Sequence, residues 1–502
     1  MPGNLFELIR DASSSAERRA IRTPDGVVFS YADLISWSAK LAGALTAVGV
    51  RPGDRVAVQV EKSAQAILLY LACLRAGAVY LPLNTAYTLT ELDYFLGDAE
   101  PSLVVCDPGR REGMKALAGK IGAAVETLGA DGRGTLMDRA AAASADFADV
   151  PRTPEDMAAI LYTSGTTGRS KGAMLSHRAL ASNALTLKDA WRFTGDDVLL
   201  HALPIFHIHG LFVATNITLV SGASMILLPK FEPKAVLRWL PEASVMMGVP
   251  TFYTRLLHEP GLAEAARGLR LFVSGSAPLL AETHRQWEQL TGHAILERYG
   301  MSETNMNTSN PYDGPRTPGS VGPPLAGVEV RITEPETGAP LADGEIGMIE
   351  VRGLNVFSGY WRMPEKTAAE FRSDGFFITG DLGVIDEKGY VSIVGRSKDL
   401  VISGGYNVYP KEVEDEIDAL PGVTESAVVG LPHPDLGEGV TAVVVAVAGA
   451  ALTEAEVLAA LKDRLAGYKR PKRVLFVEEL PRNTMGKVQK AELRARLTGL
   501  YD

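Results

Sequence analysis

Cysteine is nearly absent from this chain: Cys73 and Cys106 are the only thiols in 502 residues. Two thiols cannot build a disulfide framework, and neither sits in metal-ligand spacing. Cys73, inside the apolar run "AILLYLACL" (66–74), reads as a small buried apolar residue, and a reducing compartment fits. A surplus of positive charge is also missing. Lys and Arg number 50 against 60 Asp and Glu, leaving a net charge of −10. That excludes a general nucleic-acid binder, whose affinity comes from a basic surface. An anionic ligand must instead meet a local cluster of cations or backbone amides. Long apolar runs are missing as well. "AILLYLACL" and "VTAVVVAVAGAAL" (440–452) fall short of the ~20 residues that span a bilayer. The opening "MPGNLFELIRDASSSAERR" lacks the basic start and apolar core of a signal peptide. The expectation is a cytoplasmic protein with no membrane and no nucleic-acid partner.

With 46% apolar and 22% charged residues, the chain has material for two to four domains with large cores. Short β-branched runs alternate with helical patterns. "DRVAVQV" (54–60) precedes "SAQAILLYLACLRAG", and "SLVVCD", "VLLHALP", "SMILLP", "SVMMGVP" and "LRLFVSG" read as further strands. That alternation predicts α/β layers with mostly parallel sheets. From about residue 327, "VEVRITEPETGAPL", "GMIEVRG" and "GYVSIVG" predict antiparallel strands. After Gly395 the texture becomes that of a small α+β module, with a boundary near "GRSKDLVISGGYNVYP" (395–410). The Ala-rich stretch 118–150 reads as a surface segment.

The densest chemical signal is "LYTSGTTGRSKGAM" (161–174). An apolar strand runs into three glycines, five serine and threonine hydroxyls and Lys171. Such backbone can curl its N–H groups around phosphate oxygens, with hydroxyls and an ammonium as further donors. The spacing is not that of a Walker loop, because Arg169 and Ser170 separate Gly168 from Lys171. A plain flexible turn is the bland alternative.

This loop resembles the phosphate loop of the adenylate-forming acyl- and aryl-CoA synthetase superfamily. "YGMSET" (299–304), "TGD" (379–381), "GRSKDLVISGGYNVYP" and "PRNTMGK" (481–487) match further blocks of that family in the same order, over essentially the whole chain. The resemblance implies a fold and a reaction. The fold is a large N-terminal domain of layered α/β sheets with a β-barrel-like subdomain, residues 1–396. A small mobile α+β domain, 397–502, follows a hinge near Lys398. In the reaction, a carboxylate attacks the α-phosphorus of MgATP, giving an acyl-adenylate and pyrophosphate. The thiol of the co-substrate CoA then displaces AMP. Charge neutralisation and positioning carry the first half.

Residue by residue, the resemblance implies that Thr163, Ser164, Gly165, Thr166, Thr167, Gly168 and Lys171 hold the β- and γ-phosphates. Glu303 helps hold Mg²⁺, a hard ion suited to carboxylate oxygen, and Ser302 touches the α-phosphate. Asp381 accepts from the ribose hydroxyls, supported by Arg396. Ser276, Ala277 and Pro278 of "SGSAP", with Glu297, Arg298, Tyr299, Gly300 and Met301, border the nucleotide. Lys487 swings in to the α-phosphate. Ser403, Gly404, Gly405 and Tyr406 face the site after rotation and line a tunnel for the pantetheine of CoA. Reversible acetylation of Lys487, by a lysine acetyltransferase and deacetylase, would remove its charge.

Arg298 stands where such enzymes usually have a small residue against an acyl or aryl group. Arg255 follows "GVPTFYT", which borders the same pocket by resemblance, and Ser276 and His207 lie on that side. The bland reading pairs both arginines with acids such as Glu297 or Glu282. The sharper one notes that a buried guanidinium needs an answering anion. Two forks could hold the free carboxylate of a short diacid, malonate first and methylmalonate second. The expected activity is therefore ATP-dependent ligation of malonate to CoA. The alternatives are another acyl- or aryl-CoA synthetase, a stand-alone adenylation enzyme loading a carrier protein, and a catalytically idle AMP-binding regulator. For His207, gating is favoured over action as a base.

Overall fold

The computed structural model describes residues 3–13, 16–163, 170–483 and 486–501. Two sheets dominate the N-terminal part. The first has six strands in the order Ala124–Thr127, Leu103–Cys106, Arg55–Gln59, Val79–Pro82, Met157–Thr163, Lys171–Ser176. All its pairings are parallel except the last, an antiparallel pair between Met157–Thr163 and Lys171–Ser176. The second has eight strands. Its centre runs Leu296–Met301, Leu271–Ser274, Val245–Gly248, Val198–His201, Ser224–Leu227 and is parallel throughout. Parallel strands are covered on both faces, which is why these segments are continuous apolar runs without alternation.

Helix Ala64–Arg75 shows the same logic. Ser63 caps its start by accepting from the Ala66 N–H, and nearly the whole helix is buried, Cys73 included. It belongs to one apolar cluster that joins side chains of both sheets, from Val56 and Leu103 to Leu199, Val245 and Leu271. Functional side chains therefore stand at strand ends of two sheets locked together by a shared core.

The antiparallel region follows at residues 328–396, as four strands in the order Val328–Thr333, Gly347–Gly353, Phe377–Ile385, Val391–Arg396. Past Arg396 a separate five-stranded sheet is built on the long hairpin Val423–His433 and Gly437–Ala446. It has cores of its own, Val401, Val413, Val428 and Val444 on one side and Ala427, Val443, Leu480 and Leu493 on the other.

The Ala-rich stretch is more than a surface segment. Ala124–Thr127 forms the edge strand of the six-stranded sheet, and helix Thr135–Ala142 buries Leu136 and Ala140. Small alanine side chains let this helix lie close against helix Tyr31–Ala47, where Gly43 and Ala143 approach. A π-helix, His209–Thr215, was not expected either. Among the described residues, no helix is long and apolar enough to cross a membrane.

Candidate functional site

The strand Leu296–Met301 carries the centre of the site. Successive residues of a strand point to opposite faces, so Glu297 and Arg298 are both buried yet look different ways. Glu297 accepts from the Leu279 N–H at 3.2 Å, and its second carboxylate oxygen has no partner. Burial raises its pKa to about 8. Glu282 pairs instead with Arg285 on the surface. Neither acid answers Arg298. The Nε and Nη2 atoms of Arg298, the two that form one edge of the guanidinium fork, are buried without a hydrogen-bond partner. Burial pulls the pKa of this arginine down to about 9. Gly275 makes room for it: a Cβ at residue 275 would lie 2.4 Å from the Arg298 Cζ.

The wall around the guanidinium is histidine and serine. Ser276 sits in the left-handed region, φ +74°, uncommon for a residue with a side chain. That turn brings its Oγ within 3.2 Å of His209 Nδ1. The buried His209 Nε2 is unpartnered. Burial, then the charge of Arg298, holds His209 well below its usual pKa. His207 is pulled down to about 4 by burial, then by Arg298 and Lys487. Both rings therefore stay neutral beside a cation.

Arg255 departs from the expectation. It lies exposed near the end of helix Pro250–Leu257, with no ion pair or hydrogen bond from its side chain to the described residues. The cause is helical phase. Tyr253 and Leu256 are the buried residues of that helix; Tyr253 stands beside Arg298, and two positions on from it is about 200° round the helix. Arg255 shares its face with Thr251, one turn earlier, which packs against Gly486. It is not the second half of a buried clamp.

A second cluster surrounds Asp381. This buried carboxylate accepts from the Tyr299 hydroxyl at 2.5 Å and pairs with Arg396 at 2.6 Å. Asp381 and Arg396 are register partners on adjacent strands. The aspartate raises the pKa of Arg396. Gly380, at φ +74°, lies within the strand Phe377–Ile385 where its pairing register with Gly347–Gly353 shifts. Tyr299 packs its ring on Val321, Ile349 and Val351. Gly300 has no space for a side chain, since a Cβ there would lie 1.9 Å from the Asn305 carbonyl oxygen. Ser302 and Met301 are half-buried beside it, as are Ser276 and Ala277, and Pro278 is exposed.

Glu303 is buried, and burial raises its pKa. It accepts from the Tyr360 hydroxyl at 3.0 Å and lies 3.5 Å from Thr163 Oγ1. Lys171 pairs with Glu370 at 3.2 Å, and its ammonium lies 4.1 Å from the Tyr360 ring centre. Sequence reasoning missed Tyr360 and Glu370. Neither stands in one of the matched blocks, and only the fold brings them to Lys171. The positions Ser164, Gly165, Thr166, Thr167 and Gly168 lie outside the described residues. Among those described, no group of three acids, histidines or cysteines could hold a metal ion by itself. One carboxylate is still sufficient for Mg²⁺ when phosphate oxygens and water complete its shell, and the desolvated Glu303 fits that role.

The C-terminal domain delivers Lys487 to the Asp381 side. Burial lowers its pKa to about 8, followed by the charge of Arg396, with Asp381, Lys398 and Asp399 also within range. Lys398 is exposed in the short turn Ser397–Asp399, and Asp399 is tied to Arg494 at 2.7 Å. The Ser403–Tyr406 loop is a hairpin tip, with Gly404 and Gly405 at φ +59° and +80°. It bonds within its own domain: the Gly404 N–H donates to the Leu436 carbonyl, and Tyr406 stacks on Tyr468 at 4.7 Å.

Comparison with known proteins agrees with this geometry. Residues 8–361 match the AMP-binding enzyme family and residues 412–487 the AMP-binding enzyme C-terminal domain. A malonate–CoA ligase of Arabidopsis thaliana is 36% identical, over 99% of this chain and 89% of its own. A feruloyl-CoA synthase of an Amycolatopsis species is 38% identical, over 97% and 98%. Among solved structures, ATP-bound MatB from Rhodopseudomonas palustris is 64% identical over the whole of both chains, with a TM-score of 0.99. The apo form of that protein gives 0.88.

Proposed function

The chain belongs to the AMP-binding enzyme family, and from that premise we propose that it joins malonate to coenzyme A at the expense of ATP. A malonyl-adenylate is formed and consumed, and AMP and pyrophosphate are released. The observation that carries the choice of acid is the orphaned edge of Arg298. A buried cation with two unmatched donors is unfavourable, and a carboxylate matches that edge bidentately. A feruloyl or fatty acyl group would leave the charge unanswered and fill the space with apolar atoms. Malonate–CoA ligases and the 64% identical MatB support the same acid, although a feruloyl-CoA synthase is about as similar as the first of those ligases.

In this reading Arg298 clamps the far carboxylate of malonate, with Ser276 and the neutral His207 and His209 around it. Arg255, exposed on the Thr251 face, contributes only from the mouth. Asp381 accepts from the ribose hydroxyls, and Arg396 holds it in place by their ion pair. Tyr299 and the Ser276–Pro278 turn flank the adenine. Lys171, with Thr163 and the following loop, holds the outer phosphates. Glu303 would hold Mg²⁺, which neutralises phosphate charge when bound. Lys487 meets the α-phosphate and the attacked carboxylate. The greater likeness to the ATP-bound MatB structure than to the apo one supports taking the described arrangement as the adenylating one.

For thiolation, the domain beyond Arg396 rotates about Lys398 and presents the Ser403–Tyr406 loop. Methylmalonate is the second acid we expect. Acetylation of Lys487 would switch off adenylation by removing its charge, and it requires the domain to open first, because the lysine is half-buried. The buried, unpaired thiols of Cys73 and Cys106 suit a reducing cytoplasm. The deciding experiment is pyrophosphate release with a panel of acids, with and without CoA. Malonate should be fastest. Faster turnover of ferulate or a fatty acid would overturn the assignment.

A further inference from the structure

Lys62 has no place in the reaction just described, and its surroundings are unusual for a lysine. It precedes Ser63, the cap of helix Ala64–Arg75. No carboxylate pairs with it among the described residues. Its Nζ lies 3.0 Å from His201 Nδ1 and donates to the His201 carbonyl at 2.8 Å. Burial lowers its pKa well below that of an ordinary lysine.

The other side of the His201 ring fixes the tautomer. Nε2 lies 2.9 Å from the Gly210 carbonyl oxygen and 3.2 Å from Thr215 Oγ1. A carbonyl only accepts, so Nε2 carries the hydrogen and Nδ1 is left as an acceptor for Lys62. Gly210 and Thr215 both lie in the π-helix His209–Thr215. Such one-turn bulges interrupt the regular ladder and recur at functional sites. This one is tightly seated: a Cβ at Gly210 would lie 2.0 Å from the Pro204 carbonyl oxygen. The residue before Gly210 is His209, bound to Ser276 and standing in the field of Arg298. His207 precedes it by two, and its Nδ1 accepts from the His209 N–H at 3.4 Å.

We propose that Lys62 is a positioning residue for the acid pocket: through His201 it pins the Gly210 carbonyl, and with it the rings of His209 and His207 that border Arg298. The inference rests on the reading of that pocket as the site of the free carboxylate. Lys62 touches neither substrate nor nucleotide. It acts over a sequence separation of 139 residues, across the seam between the two large sheets.

Lys62→Met keeps the length and the apolar stem and removes the donor. Pyrophosphate release by the full-length protein, titrated separately with malonate and ATP, is the readout. The KM for malonate should rise about tenfold, the scale of one or two lost hydrogen bonds, while that for ATP stays within about twofold. In a His209→Ala background, Lys62→Met should add less than about twofold to the malonate KM, because both changes act through the same ring. An equal rise in both backgrounds, or KM values for ATP and malonate moving together, would make Lys62 a merely structural residue. If Lys62→Met does not fold, His201→Gln, which breaks the same relay, is measured in both backgrounds instead. Wild type is the control for the underlying reading. Failure of malonate to drive its pyrophosphate release sinks the acid assignment, and the cycle is then run with the acid that does.

Discussion

Replacing Arg298 tests the acid assignment with opposite signs on two observables. Arg298→Met substitutes an apolar chain of similar reach for a buried guanidinium whose Nε and Nη2 have no partner. With malonate as substrate, the change removes the group that answers a desolvated carboxylate. That costs about 2–5 kcal/mol, the scale for truncating one side of a buried charge pair. The loss in kcat/KM is then roughly thirty- to several-thousand-fold. Stability should move the other way. Each unmatched buried donor is worth on the order of 1–3 kcal/mol against the folded state, so the variant should melt no lower than wild type without ligand. Malonate should raise the Tm of wild type by mass action and leave that of Arg298→Met unmoved. Steady-state pyrophosphate release and thermal shift, with malonate and with butyrate as the monoacid of similar size that lacks the second carboxylate, measure both. Undiminished malonate turnover would refute the argument, and so would a large fall in Tm without ligand. The second result would show that the guanidinium is structural.

Arg255→Ala, at an exposed position, should cost less than about tenfold in kcat/KM for malonate, as a rim charge does; kinetics at two salt concentrations read this. Lys487→Ala should abolish adenylate formation and spare thiolation of supplied malonyl-adenylate, and equal loss of both halves would refute that division. In wild type, kcat/KM for ATP should fall as pH rises through about 8. A lysine with a depressed pKa is charged below that value and neutral above it, and the free-enzyme profile reports it. Lys487→Arg, if active, should move that limb to higher pH. Gly300→Ala puts a methyl 1.9 Å from the Asn305 carbonyl oxygen. Overpacking of that kind costs about 1–3 kcal/mol, readable as a lowered denaturation midpoint.

Much of the layered fold was legible because its strands are apolar runs buried on both faces, such as those around Val56, Leu199 and Leu271. The proposed nucleotide residues rest on short blocks at strand ends, where local spacing survives folding. Asp381 and Arg396 needed one further fact, the antiparallel register that pairs them. Arg255 misled because a one-dimensional reading places it near a pocket-lining segment and gives no helical phase. Lys62 and His201 left no signal at all. Their contact spans two sheets, and no spacing rule links residues 139 apart. The π-helix was invisible for another reason, since one extra residue per turn does not disturb an already apolar sequence such as "GLFVAT".

The helix Pro250–Leu257 has two duties at once. Its buried Tyr253 stands beside Arg298, the proposed clamp for the acid, and its Thr251 touches Gly486, the neighbour of Lys487, which in the proposed cycle arrives with the C-terminal domain. In that proposal, recognition and docking share one rigid rod of two turns. Reshaping the pocket from this helix to admit a bulkier diacid would also shift the landing pad for Lys487. Broader acid choice obtained there should come with slower closure, whereas changes made from the strand behind Arg298 would leave the landing pad where it is.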